Sequence, residues 1–355
     1  MGILTESAQG TEKVKLLLNK ELPSYRQAYS DRTAWLMACL SELAYVKFNP
    51  LMKDAKHKDY ILDAVKKMVD KKRLAGLVGL INALGYDHEK NLLSLKAELE
   101  HVRLRLIDTF DCEGTQAILV GGEKFVALAF RGTEAESIRD IKADCNALTV
   151  ACESGGKIHS GFNEAYNCVA SEIQNALDRD EHKDLPLFIT GHSLGGALAT
   201  IAAKKLSHKG GIAACYTFGA PRVGDEHWTE RKTPVYRIVN SADCVTMLPP
   251  GDELVSVIGW VVKRLSSSAS SWLVDNCGGY YHGGDMRYLT NCKQGKYGGV
   301  KMLYAVSFVR RIRGWLAKGA PWKSFLADHS ISVYRKKLRV IAERRNQPAA
   351  SSARK

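Results

Sequence analysis

The sequence predicts an α/β protein with a mainly parallel sheet covered by helices on both faces. Three observations predict it. From about residue 103 the chain breaks into short runs rich in Val, Ile and aromatic residues, at 104–109, 115–120, 125–130, 186–190, 213–217 and 235–239. Stretches with helical periodicity, 163–177 and 194–206, separate several of these runs. Strands alternating with helices of that length read as a parallel sheet with crossover connections. The third observation is an apolar run, 185–190, that leads without a spacer into Gly191 and a small-residue helix.

The first hundred residues lack this alternation. Ala34, Trp35, Leu36 and Met37, continued by Leu40, Leu43 and Ala44, recur at three- and four-residue spacing and predict a helix. Residues 62–84 mix lysines with a Leu/Val/Ile series and predict a packed helical hairpin with a basic face. A serine-rich loop is expected at 266–271. Past residue 330, Ile331, Tyr334, Leu338 and Ile341 again keep helical spacing, and the last ten residues are expected to lack fixed structure. The organisation expected is a helical N-terminal extension (1–102), an α/β domain (103–335) and a basic helix end with a tail (336–355).

Composition excludes several classes. Of 355 residues, 45% are hydrophobic and 25% charged, ordinary for a globular chain and unlike a disordered one. The longest apolar run, 254–262, is far short of the ~20 residues that span a bilayer. No basic start followed by an apolar core opens the chain, so no secretory leader is read and a cytoplasmic location at synthesis is expected. Gly2 follows Met1, but Glu6 stands where a myristoylation signal needs Ser or Thr. Nine scattered cysteines show no metal-ligand spacing and are expected to be mostly free thiols.

The net charge of +13 is concentrated. Between Lys301 and Lys355 stand 14 Lys or Arg against Asp328 and Glu343 alone, so nearly all the excess lies in the last 55 residues. A nucleic-acid binder usually spreads its basic residues over a domain, and no recognition motif accompanies these, so no nucleic-acid partner is expected. Arg310, Arg311 and Arg313, beside Phe308, Ile312, Trp315 and Leu316, instead suggest a helix whose basic side meets either water or an anionic lipid surface.

The third opening observation carries chemistry. Gly191-His192-Ser193-Leu194-Gly195 is a GxSxG pentapeptide between a predicted strand and a predicted helix. That is the context of a nucleophile elbow, in which a sharp turn lifts a serine hydroxyl above the sheet edge and demands small neighbours. A serine hydroxyl is a poor nucleophile near neutral pH. It needs a histidine to take its proton and a carboxylate to orient that histidine. Where the chain order is Ser, acid, His, the acid candidates are Asp225, Asp243, Asp252, Asp275 and Asp285. Asp243 lies just past the run 235–239, at the sheet edge where such folds build their sites. His208 and His227 precede it, which leaves His282 and His329 as base candidates. An oxyanion hole would draw one donor from the backbone of Leu194, directly after the nucleophile.

Five segments in one order resemble the class 3 lipases, a family of α/β-hydrolase fold. They are Gly191 to Gly196 (GHSLGG), Ala129 to Thr133 (AFRGT), His159 to Phe162 (HSGF), Thr217 to Asp225 (TFGAPRVGD), and Asn240 to Pro250 with Asp243 inside it. The resemblance covers about residues 105 to 335. It implies Ser193 as nucleophile, Asp243 as acid, and His329, in a segment running to Tyr334, as base. It also implies Thr133 as the second oxyanion donor, structural roles for His282, His159 and Asp225, and a lid helix near 137–144. The implied activity is hydrolysis of lipid esters at a membrane or emulsion surface, with neither cofactor nor metal. The competing expectation is a weakly catalytic lipid- or partner-binding protein on the same fold.

Overall fold

The computed structural model describes residues 2–4, 8–19, 27–47, 88–112, 114–132, 149–153, 155–230, 232–241, 243–249, 251, 279–304, 306–307, 309–311, 313 and 328–346. The predicted strands are all present, with ends shifted by at most three residues. An eight-stranded sheet has the order β1 (Arg105–Cys112), β2 (Thr115–Gly121), β3 (Val126–Phe130), β6 (Leu187–His192), β7 (Ile212–Phe218), β8 (Val235–Asn240), β9 (Asp285–Leu289) and β10 (Met302–Tyr304). Its centre, from β3 to β9, is parallel, while β1–β2–β3 and β9–β10 pair antiparallel. A separate hairpin pairs β4 (Thr149–Ala151) with β5 (Lys157–His159).

The central strands are buried on both faces, as a doubly covered parallel sheet requires. This is why β3 and β6 read as unbroken apolar runs rather than alternating ones. One face carries α4 (Ser160–Leu177) and α5 (Leu194–Lys205), whose Phe162, Tyr166, Val169, Ile173, Leu198 and Ile201 share a core with Leu128, Ile189 and Cys215. His159 begins α4 by accepting the Phe162 N–H on its ring nitrogen. A short helix, α6 (Glu226–Thr229), is capped by Asp225, which accepts the Trp228 N–H at 2.8 Å.

The other face carries α2 (Asp31–Leu43) and α7 (Ile331–Asn346), with α1 (Ala8–Leu17) and α3 (His88–His101) outside them. Ser30 caps α2, and Trp35, Leu36, Met37 and Leu40 are fully buried with Tyr334 and Leu338. The N-terminal helices thus complete the core of the sheet. The Ser41 hydroxyl lies 2.9 Å from that of Thr190 on β6, and Arg335 pairs with Glu42 inside the α2–α7 contact.

The basic C-terminal segment is less of a surface than the sequence suggests. Arg311, Arg335 and Lys337 are buried. The reading that groups Arg311 with Arg310 and Arg313 on an outward basic side is corrected, because Arg311 points inward and donates to Thr246 Oγ1 at 2.5 Å. Arg310 and Arg313 are exposed. None of the seven cysteines among the described residues is in a disulfide. The expected hairpin at 62–84, the lid helix near 137–144, the loop at 266–271 and residues 347–355 lie outside the described residues.

Candidate active site

The site grows from the strand β6 that the α2 face supports. At its end the chain turns so sharply that Ser193 has φ 57° and ψ −128°, a conformation that a side-chain-bearing residue adopts only under strain. Ser193 N–H is tied to Phe218 O at 2.9 Å, and the carbonyl of Ser193 starts α5 by accepting the Gly196 N–H. The small neighbours are needed for contact. A Cβ on Gly191 would strike the Gly195 carbonyl, and one on Gly195 would strike the backbone of Phe130 and Arg131. A Cβ on Gly196 would meet Ala220 Cβ at 2.6 Å.

Asp243 follows the end of β8 and is buried. Its Oδ1 accepts the Val245 N–H at 3.0 Å, and its Oδ2 accepts from His329 Nδ1 at 2.8 Å and from the Tyr334 hydroxyl at 2.6 Å. A carboxylate oxygen accepts, so His329 carries its proton on Nδ1 and presents a bare lone pair on Nε2. Both His329 Nε2 and Ser193 Oγ are buried and have no hydrogen-bond partner among the described residues. Gly219, next to the Phe218 that anchors Ser193, brings the two halves together. A Cβ there would meet Asp243 Oδ2 at 2.6 Å and the His329 ring at 3.0 Å.

Tyr334 is enclosed next to this carboxylate. Burial first, and then Asp243, push its phenol well above the usual tyrosine value, so it stays a donor at any physiological pH.

Sequence reasoning passed over two further groups. His192 stands in the variable position of the elbow, with its ring 4.5 Å from that of His329. Its Nε2 lies 2.5 Å from His329 O and its Nδ1 2.8 Å from the Tyr45 hydroxyl. A carbonyl can only accept, so Nε2 is protonated and Nδ1 receives the Tyr45 proton. Burial, with His329 second, drives the His192 pKa well below the ordinary histidine value, which keeps this ring neutral. Tyr45 also sits against Gly132, where any Cβ would collide with the Tyr45 hydroxyl and the His192 carbonyl. Nothing in the sequence near Tyr45 signals this. It lies just beyond the end of α2 and reaches the site only through the fold.

The remaining candidates have other partners or lie elsewhere. His282 is held by Thr246 O at 2.6 Å, and burial, with Arg237 and Arg222 next, keeps it neutral and away from the base role. Asp225 is engaged in capping α6, and Arg131 donates to Gln116 Oε1 at 2.5 Å. Leu194 begins α5 directly after the strained serine, whereas Thr133 lies outside the described residues. No group of three or more His, Cys, Asp or Glu that could hold a metal occurs among the described residues.

A strained serine between a parallel strand and a helix, with an acid and a histidine supplied later in the chain, defines an α/β-hydrolase fold. Residues 127–253 match the family described as Lipase (class 3). It is 34% identical over 178 residues to a lipase of Rhizomucor miehei, covering 46% of each chain. It is 38% identical over 135 residues to a secreted mono- and diacylglycerol lipase of Fusarium solani, covering 36% of this chain and 40% of that one. With the chloroplastic phospholipase A(1) DAD1 of Arabidopsis thaliana it shares 32% over 187 residues, 46% of this chain and 42% of that one. The matched stretch thus spans less than half the length of these relatives.

Proposed function

We propose that this chain is a serine carboxylester hydrolase acting on lipid esters. The observation that carries the proposal is the strained Ser193 beside a buried His329–Asp243 pair whose Nε2 lone pair is unoccupied. Ser193 Oγ attacks the ester carbonyl carbon while His329 Nε2 takes the hydroxyl proton. Asp243 holds the ring and stabilises its cation. The tetrahedral oxyanion is held by the Leu194 N–H and by Thr133, the latter implied by family resemblance. Collapse expels the alcohol, which leaves with the proton from His329, and an acyl-Ser193 remains. Water, deprotonated by the same nitrogen, then releases the fatty acid and restores the serine. No step calls for a cofactor or metal.

The relatives' names supply the substrate class, acylglycerol or phospholipid, and the exposed Arg310 and Arg313 beside the exposed Val309 suit an anionic lipid surface. A fluorophosphonate probe followed by mass spectrometry tests the nucleophile. An adduct on Ser193, together with a ~10⁴-fold loss of turnover in Ser193→Ala, is the expected result. An unlabelled folded protein would leave lipid binding without catalysis as the function. A panel of short-chain ester, emulsified triglyceride and phospholipid vesicles then ranks the substrates.

A further inference from the structure

Lys337 is a fully buried lysine, 0% exposed, on the helix that follows His329. Its ammonium donates to Asn240 Oδ1 at 2.6 Å and to Thr290 O at 2.9 Å. Asn240, also fully buried, closes β8. Its amide nitrogen donates onward to Asp328 O at 2.8 Å and to Asp328 Oδ1 at 3.3 Å, holding the residue immediately before His329. Its backbone N–H donates to the Tyr334 hydroxyl at 3.0 Å, which in turn donates to Asp243. The contacts therefore close a ring that runs from Lys337 through Asn240 to the His329 segment and the acid.

Lys337 sets the orientation of the Asn240 amide, together with the Ser241 N–H that donates to the same Oδ1 at 3.1 Å. An ammonium can only donate, so Asn240 must present its oxygen to it, and its NH₂ then faces Asp328. A flipped amide would set donor against donor at Lys337 and acceptor against acceptor at the Asp328 carbonyl. Holding an ammonium out of water opposes folding, and an apolar side chain of similar length would fill the same space. On the far side, His192 Nε2 holds the His329 carbonyl. The two peptide carbonyls at 328 and 329 are thus each fixed by a side chain of known polarity.

We propose that Lys337 is a positioning residue for the reaction: through the Asn240 amide it sets the Asp328–His329 segment so that the imidazole meets Asp243. The inference rests on the reading of His329 as base. Lys337→Met fills the volume without the donor. Asn240→Asp keeps an acceptor for Lys337, and so the tie between helix and strand, but removes the donor to Asp328 O. Both variants should lower kcat on a short-chain p-nitrophenyl ester by about 10- to 100-fold, with KM within about twofold of wild type. In Asn240→Asp the low-field proton resonance of the His329 Nδ1–H should shift or vanish while Tm stays near that of wild type.

Folded variants with kcat within threefold of wild type and an unmoved resonance would overturn the proposal. So would failure of both to fold, which would make Lys337 a structural group only. His329→Ala, run alongside, separates the two ideas. If it stays active, the base is misassigned. If it is inactive while Lys337→Met and Asn240→Asp are not, only the positioning role fails.

Discussion

Tyr334 donates its hydroxyl proton to Asp243 at 2.6 Å, on the same oxygen that receives the Nδ1 proton of His329. Asp243 therefore faces His329 with both of its oxygens already engaged, since Val245 N–H occupies the other. A neutral hydrogen bond to a buried charge contributes about 1.5–3 kcal/mol. Tyr334→Phe keeps the ring and removes that bond, so kcat is expected to fall about tenfold or more with little change in KM. Steady-state kinetics on a soluble ester checks this; unchanged kcat would show that Val245 and His329 suffice.

Asp243→Asn probes the tautomer. An asparagine amide can offer a donor to Nδ1, which would move the imidazole proton to Nε2 and remove the lone pair there. Turnover is expected to drop by about 10⁴-fold, as when a triad acid is neutralised elsewhere. Fluorophosphonate labelling of Ser193 should slow in parallel, and a variant labelled at the wild-type rate would contradict the assignment.

Gly219 is a sterically enforced position. Its φ is +58°, and an added methyl would press on Asp243 Oδ2 and on the His329 ring. Gly219→Ala is expected to cut activity at least 100-fold and to lower Tm by several degrees. Activity loss beyond what the folded fraction explains, measured by circular dichroism on the same sample, would mark the site as the place of damage.

Two buried histidines predict acid sensitivity. His192 and His282 have folded-state pKa values held below the ordinary one, mainly by burial. The unfolded chain then binds more protons as pH falls below about 6.5, so stability drops with acidification. Each such group adds a slope approaching 1.4 kcal/mol per pH unit. Denaturant midpoints between pH 7 and 5 should therefore fall, and the fall should be shallower in His282→Asn. Parallel curves for the two proteins would rule out His282 as a contributor.

Truncation at residue 335 is expected to fail. Lys337, Leu338, Ile341 and Ala342 of α7 are buried against α2 and the sheet. A chain ending there should be recovered unfolded or with a Tm lower by many degrees. Charge reversal at exposed Arg310 and Arg313 is the better probe of lipid contact. It should reduce hydrolysis of anionic vesicles about fivefold per charge, leaving zwitterionic vesicles nearly unaffected.

Much of this was legible in the sequence because it is local. The six strands and the elbow were read from runs and spacing and Asp243 from its place past a strand, while the choice of His329 over His282 came from the family resemblance. What escaped depends on contacts between distant segments. Tyr45, His192, Asn240 and Lys337 belong to no periodicity that marks them, and a lysine in a basic run reads as solvated surface until the fold encloses it. Strands β9 and β10 escaped because DMRYL and MLY are short and only partly apolar, and they are strands through pairing with β8 and with each other. The hairpin of β4 and β5, three residues each, gave no alternation to count.

The position of α7 has a consequence for how the molecule comes into being. The elbow and its glycines are complete once Ala220 has been made, but His329 and its neighbours Tyr334 and Lys337 are synthesised long afterwards. The same helix seals α2 against the sheet. A half-made chain therefore carries a serine with nothing to take its proton and an N-terminal helix with an open flank. In the proposed reaction, hydrolytic competence and closure of the core therefore arrive together.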